Sequence, residues 1–277
     1  MVGILVGMLQ VVTYLSSLNL AAEVEKFGRL ENVHCADELH FISEKTINFE
    51  WSAKAVTIAS GGELICACDE GILIETADKE GWIKLYESSS DTNVNCTTLH
   101  DGTLYFVVTN KERLQHTVRC MKLDPKELGF GELQPQSELL FTVDFEEDRF
   151  LTGHWPSLSV LANICLLASG KILASFNLVD KTIKQREFHN KELLDAVLVS
   201  PDRCFFAMDY YEISMLSGDL MSCALKSIPT PWSYRLCRWT EQNLLLLTEN
   251  WDDDNYHRVE IILLDYDGKS NHIEGNF

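Results

Sequence analysis

His34, Cys35 and His40 lie close together, and Cys66-Ala67-Cys68 adds two thiols, a mixed nitrogen and sulfur set of the kind zinc accepts. The spacing fits no known finger. Along a strand Cys66 and Cys68 share one face, whereas zinc sites commonly take Cys-x-x-Cys from a tight turn. The pair therefore reads as buried structure, and no metal is expected. Asp252-Asp253-Asp254 with Glu249 suggests calcium at first sight. An EF-hand loop needs oxygen ligands at alternate positions, a central Gly and a closing Glu, and Tyr256 and Arg258 break that register. A solvated acidic hairpin explains the run better. Glu146-Glu147-Asp148 offers carboxylates, but acid and base roles depend on distances that a sequence does not give. There is no Gly-x-x-x-x-Gly-Lys, Gly-x-Gly-x-x-Gly, Gly-x-Ser-x-Gly or His-Glu-x-x-His. No catalytic residue and no cofactor are expected.

Recognition is the chemistry that remains. Asn250 to His257 combines Trp251 and Tyr256 with Asp252, Asp253 and Asp254, and Asp209-Tyr210-Tyr211-Glu212 repeats the combination on a smaller scale. Aromatic anchors beside charge are typical of interaction hot spots. In an extended segment one of Tyr210 and Tyr211 points inward. A third segment, Asn110 to His116, is mixed and partly basic.

The elements that position these segments repeat. Short apolar runs fall at Leu64 to Cys68, Leu104 to Val108, Ile164 to Ala168, Cys204 to Met208 and Leu244 to Thr248, their starts 40, 60, 40 and 40 residues apart. Turn residues precede most of them, as in Ser60-Gly61-Gly62, His100-Asp101-Gly102 and Ser200-Pro201-Asp202. An earlier strand signal lies before each run: Ala55 to Ala59, Val94 to Leu99, Leu158 to Leu161, Asp195 to Val199 and Leu236 to Thr240. Another follows 14 to 19 residues after each run's end or start, at Trp82 to Tyr86, Val118 to Leu123, Ile183 to Phe188, Leu220 to Leu225 and Val259 to Leu264, and reads as the next hairpin arm. Val197 to Ala207 resembles the strand-turn-strand opening of a WD-type repeat, and His100 to Tyr105 resembles the matching turn of a kelch-type repeat. The chain thus resembles the WD and kelch class of β-propellers over residues 41 to 277. No Trp-Asp closes a unit and no Gly-Gly pair follows a core strand, so no closer family is named.

The resemblance implies an all-β fold, a β-propeller of four-stranded blades. At about 40 to 45 residues per blade the repeat region holds five or six. The longer gap before Ile164 is too short for a missing blade and reads as an insertion, with a loop at Lys126 to Glu132 and a strand at Glu138 to Phe145. Closure is expected to pair Thr46 to Trp51 with the last residues, since an open ring leaves strand edges exposed.

Composition narrows the function classes. With 46% apolar residues the chain is no disordered protein, and one folded domain is expected over residues 31–277. A formal charge of −19 repels phosphate backbones and anionic lipids, so no nucleic-acid partner is expected. Nine cysteines, several inside core strands, suit a reducing compartment. Asn95-Cys96-Thr97 fits the N-glycosylation pattern but lies in a predicted strand. Residues 1–30 form an N-terminal apolar segment without charge before Glu23; its spacing predicts a docked amphipathic helix, with a strand as the alternative.

The expected function is that of a non-catalytic cytoplasmic scaffold, binding a protein partner with a basic or amphipathic segment through one loop face. Two alternatives stand beside it: an enzyme with a small-molecule site at the channel mouth, and a propeller anchored to a membrane by residues 1–22.

Overall fold

A computed structural model of the chain describes residues 53–59, 62–76, 81–123, 136–145, 156–189, 192–208, 212–217, 226–229, 233–238, 243–251, 257–265 and 270–273. Among them the regular structure is all β, in five four-stranded antiparallel sheets, each built from four consecutive strands. The first holds β1 (Ala55–Ile58), β2 (Leu64–Cys68), β3 (Gly71–Glu75) and β4 (Trp82–Glu87). The second holds β5 (Thr92–His100), β6 (Thr103–Asn110), β7 (Gln115–Lys122) and β8 (Glu138–Asp144). The third holds β9 (Ser157–Leu161), β10 (Ile164–Ser169), β11 (Ile172–Asn177) and β12 (Ile183–Glu187). The fourth holds β13 (Leu193–Ser200), β14 (Arg203–Met208), β15 (Glu212–Ser217) and β16 (Lys226–Pro229). The fifth holds β17 (Ser233–Arg238), β18 (Asn243–Trp251), β19 (His257–Asp265) and β20 (Ser270–Ile273).

The apolar runs are the second strands, and packing explains why they are continuous. The second, third and fourth sheets are covered by a neighbour on both faces, so successive residues of their core strands are buried in opposite directions. In β10, Leu166 and Ala168 face the fourth sheet with Cys204 and Leu216, while Cys165 and Leu167 face the second sheet with Val107 and Val118. Cys204 and Phe205 divide in the same way between the third and fifth sheets. Such sheets are blades, and their first strands pack on one another in chain order.

Those inner strands have one edge without a ladder partner, and side chains from the next blade satisfy it. Ser159 Oγ accepts from Leu198 N at 3.0 Å, and Thr57 Oγ1 donates to the Thr97 carbonyl at 3.1 Å. Asp195, buried in β13, reaches both ways. Its Oδ1 accepts from Ser157 Oγ in β9 and from Ala196 N at 2.9 Å, and its Oδ2 accepts from Leu236 N in β17 at 2.8 Å. One carboxylate thereby ties three blades.

Several expectations are revised. Trp82 to Tyr86 and Ile183 to Phe188 belong to fourth strands, not to the arm next to the core run, because two-residue turns after Cys68 and Ser169 start β3 and β11 at once. Glu138 to Asp144 is the outermost strand of the second blade, so the wider spacing lies in the connections around it. Leu220 to Leu225, Thr46 to Trp51 and the N-terminal segment lie outside the described residues.

Gly71 marks one tight turn. At φ +134° it sits where L side chains rarely go, and a Cβ there would lie 1.9 Å from the Tyr86 carbonyl oxygen. Gly71→Ala is expected to cost about 2 kcal/mol. Urea unfolding checks it, and an unchanged midpoint counts against the strained geometry.

Candidate functional site

Because every sheet runs in the same order, the connections from second to third strand all emerge at one end of the blades. Residues 69–70, 111–114 and 170–171 are described there, whereas 209–211 and 252–256, which join the ends of β14 to β15 and of β18 to β19, lie outside the described residues, and the five connections are compared by sequence. They carry seven carboxylates (Asp69, Glu70, Glu112, Asp209, Asp252, Asp253, Asp254) against three cations (Lys111, Arg113, Lys171). Asp69 is two-thirds exposed and pairs with Lys54. In the second blade the turn is held by Asn110 Oδ1, which accepts from Arg113 N at 2.8 Å.

The sequence-predicted contact residues map onto this end unevenly. Trp251 is the last residue of β18, paired in register with His257, so Asp252 to Tyr256 bridge two strand ends. Asp252, Asp253, Asp254 and Tyr256 lie outside the described residues. So do Tyr210 and Tyr211, between the ends of β14 and β15. The segment Asn110 to His116 is shorter as a loop than its polarity suggests: Gln115 and His116 belong to β7, and His116 is buried.

His116 is part of a buried polar chain. Asn95 Nδ2 donates to Thr109 Oγ1 at 2.7 Å, Thr109 Oγ1 meets His116 Nδ1 at 2.9 Å, and His116 Nε2 meets Ser169 Oγ in the third blade at 2.7 Å. A neutral ring completes this chain with one nitrogen accepting and the other donating, so Thr109 and Ser169 satisfy both ring nitrogens without a charge. Burial drives the His116 pKa down to about 3, and the ring stacks on Phe145 at 4.4 Å. The chain joins two blades, and His116 is a neutral structural group. Burial of Asn95 also closes the Asn95-Cys96-Thr97 pattern to glycosylation in the folded state.

Sequence reasoning missed a second feature, a cleft of about 510 Å³ at the opposite end, between the second and third blades. Thr103, Tyr105, Cys120 and Lys122, at the start of β6 and the end of β7, line one wall, and Leu178 and Lys181 reach in from the β11–β12 turn. Burial holds the Tyr105 hydroxyl protonated, its pKa raised to about 12, and the Cys120 thiol is pushed up for the same reason. No local sequence signal marks the cleft, because its walls come from separate repeats. Among the described residues no group of three His, Cys, Asp or Glu is placed to hold a metal ion. Cys66, Cys68, Cys96, Cys120, Cys165 and Cys204 are free thiols, and burial raises Cys66 to about 12. No described helix is long and apolar enough to cross a membrane.

No known protein family and no curated protein matches the sequence. Solved structures do match by shape. The WD40 β-propeller domain of Doa1 aligns with a TM-score of 0.56 at 14% identity, covering 83% of this chain and 70% of that one. The structure of U3-55K aligns with a TM-score of 0.55 at 9% identity over 82% of this chain, which spans 66% of its length. Regucalcin from Agrobacterium tumefaciens, described as a calcium-binding protein, gives 0.54 at 12% identity, covering 76% and 74% of the two chains. At such identities the likeness speaks for the fold alone. The fold is a β-propeller.

Proposed function

We propose that this chain is a non-catalytic propeller that binds a protein partner through the end carrying the connections from second to third strand, and that it does so in the cytoplasm. The observation that supports this most directly is the convergence of five connections rich in carboxylates on one end of a rigid β scaffold. Loops held by such scaffolds are where binding concentrates. The charge of these connections suits a basic or amphipathic segment. Trp251 and Tyr256 are the anchors in this reading, with Asp252, Asp253 and Asp254 setting the charge and Tyr210 and Tyr211 adding a neighbouring contact.

The test is affinity capture from a cell extract, comparing the intact chain with a folded Trp251→Ala, Tyr256→Ala variant. The expected result is a partner lost with the variant, whose basic segment, made as a synthetic peptide, competes for the intact chain and binds the variant about thirtyfold more weakly. Equal capture by both proteins removes these loops from the site.

A further inference from the structure

The cleft between the second and third blades combines cations with exposed apolar surface on a strongly acidic chain. Its lining holds Lys122 and Lys181 against a single carboxylate, Glu138, while the whole chain carries −19. The large apolar side chains identified as exposed among the described residues are Leu139, at 53%, Val179, at 70%, and Ile183, at 42%. Two of them adjoin the cleft: Val179 stands in the β11–β12 turn beside Leu178, and Ile183 is paired in register with Phe176, which faces the second blade, whereas Leu139 alternates with Glu138 and Leu140 and lies on the other face of β8. Scattered exposed apolar residues are ordinary, but two gathered at one concavity mark an interaction surface.

The turn that presents Lys181 and Val179 is fixed by its own hydrogen bonds. Asn177 Oδ1 accepts from Val179 N at 2.9 Å, the Asn177 carbonyl accepts from Lys181 N at 3.0 Å, and Asp180 Oδ1 accepts from Thr182 N at 2.9 Å. Lys181 itself is left-handed, at φ 60°. A surface held this way loses little freedom when it binds. At the base, Leu140 and Leu178 are only partly buried against the inter-blade core, and Tyr105 presents a protonated hydroxyl beside them. The volume is of the size that takes a few side chains rather than a folded surface.

We propose that this cleft docks a short segment of a partner protein in which an aspartate or glutamate is flanked by aliphatic residues, the carboxylate lying between Lys122 and Lys181. Charge complementarity decides the occupant: the two amines call for an anion, and the aliphatic rim calls for apolar neighbours on the same chain. A nucleic-acid backbone answers only the amines and meets the repulsion of the whole acidic molecule. The site stands at the opposite end from the loop face described above and does not depend on it.

The experiment is selection of a random displayed peptide library on the full chain, followed by fluorescence polarisation of the selected peptides made synthetically. The expected consensus places one Asp or Glu within three positions of Leu, Ile or Val. Lys122→Glu with Lys181→Glu, both exposed positions, is expected to weaken binding by about tenfold or more. Lys122→Arg with Lys181→Arg keeps it within about threefold, and Glu87→Lys, exposed on the outer strand of the first blade, leaves it unchanged. A consensus without an acidic residue overturns the proposal, as does equal binding by the charge-reversed variant or failure to select any peptide that distinguishes it. Displacement of the peptides by phosphate or by vesicles of anionic lipid at matched ionic strength also overturns it in favour of a simple anion site.

Discussion

Asp195→Ala lowers the unfolding free energy by about 4 kcal/mol, measured from urea midpoints at neutral pH, the largest loss expected from any single side chain here. The reasoning follows from what the carboxylate leaves behind. Asp195 is buried, and its two oxygens take hydrogens from Ser157 Oγ, Ala196 N and Leu236 N, which belong to three successive inner strands. Alanine removes the acceptor but not the donors. Leu236 N then sits at a strand edge without its partner, and an unsatisfied buried donor costs about 1 to 3 kcal/mol by itself. The charge-assisted bonds lost with it add the remainder. Burying a carboxylate carries a desolvation cost of its own, and removing the charge recovers part of that cost. This is why the expected loss is not larger. Asp195→Asn distinguishes the contributions: one amide oxygen still accepts, while the amide nitrogen confronts a donor, so about half the loss is expected. A variant with alanine that unfolds within about 1 kcal/mol of the parent would mean that the packing around Leu236 holds the blades without the bridge.

That bridge bears on what the sequence discloses. The core strands are legible because burial on both faces forces unbroken apolar runs, and five of those runs coincide with β2, β6, β10, β14 and β18. Among the first strands β13 is buried along nearly its whole length, while β5 and β9 are mostly half-buried and leave a weaker pattern. β3 and β11 are not legible, because only Asp69-Glu70 and Gly170-Lys171 separate them from the preceding runs, and a two-residue turn barely interrupts an apolar pattern. The inner-strand clasps leave a fainter trace. Thr57 and Thr97 are 40 apart, Ser157 and Asp195 38, Ser159 and Leu198 39, and Asp195 and Leu236 41. Each separation is close to one repeat, so a polar residue recurring at the repeat distance inside an apolar strand was a signal for a contact between blades.

The candidate sites divide along the same line. Trp251 and its acidic neighbours stand out by composition, since aromatics and carboxylates at a strand connection need no partner from elsewhere to be noticed. The cleft does not stand out. Lys122 and Lys181 are 59 residues apart, and only the packing of the second blade on the third brings them to one cleft. His116 is the sharpest case, because its polarity places it in a loop by sequence, whereas Thr109 and Ser169 accommodate it in the interior.

His116 also predicts how the fold responds to acid. Its pKa in the folded chain is about 3, against 6.5 for an unperturbed histidine. Between those values the unfolded chain binds a proton that the folded chain refuses, so unfolding is favoured as pH falls. The stability associated with the neutral ring is complete above about pH 6.5. It declines by about 1.4 kcal/mol for each pH unit below that and levels off only near the folded value. Burial is the cause of the refusal, since an imidazolium would sit out of water between the second and third blades. Protonation of the many carboxylates changes stability over the same range, so the informative quantity is a difference. His116→Gln keeps a neutral group with a donor and an acceptor and cannot take up a proton. Urea midpoints for the two proteins should therefore converge, with the parent losing about 2 kcal/mol more than the variant between about pH 6.5 and 4.5. Parallel curves would mean that the folded protein admits the proton, either by turning the Thr109 hydroxyl or by separating the second and third blades enough to wet the ring.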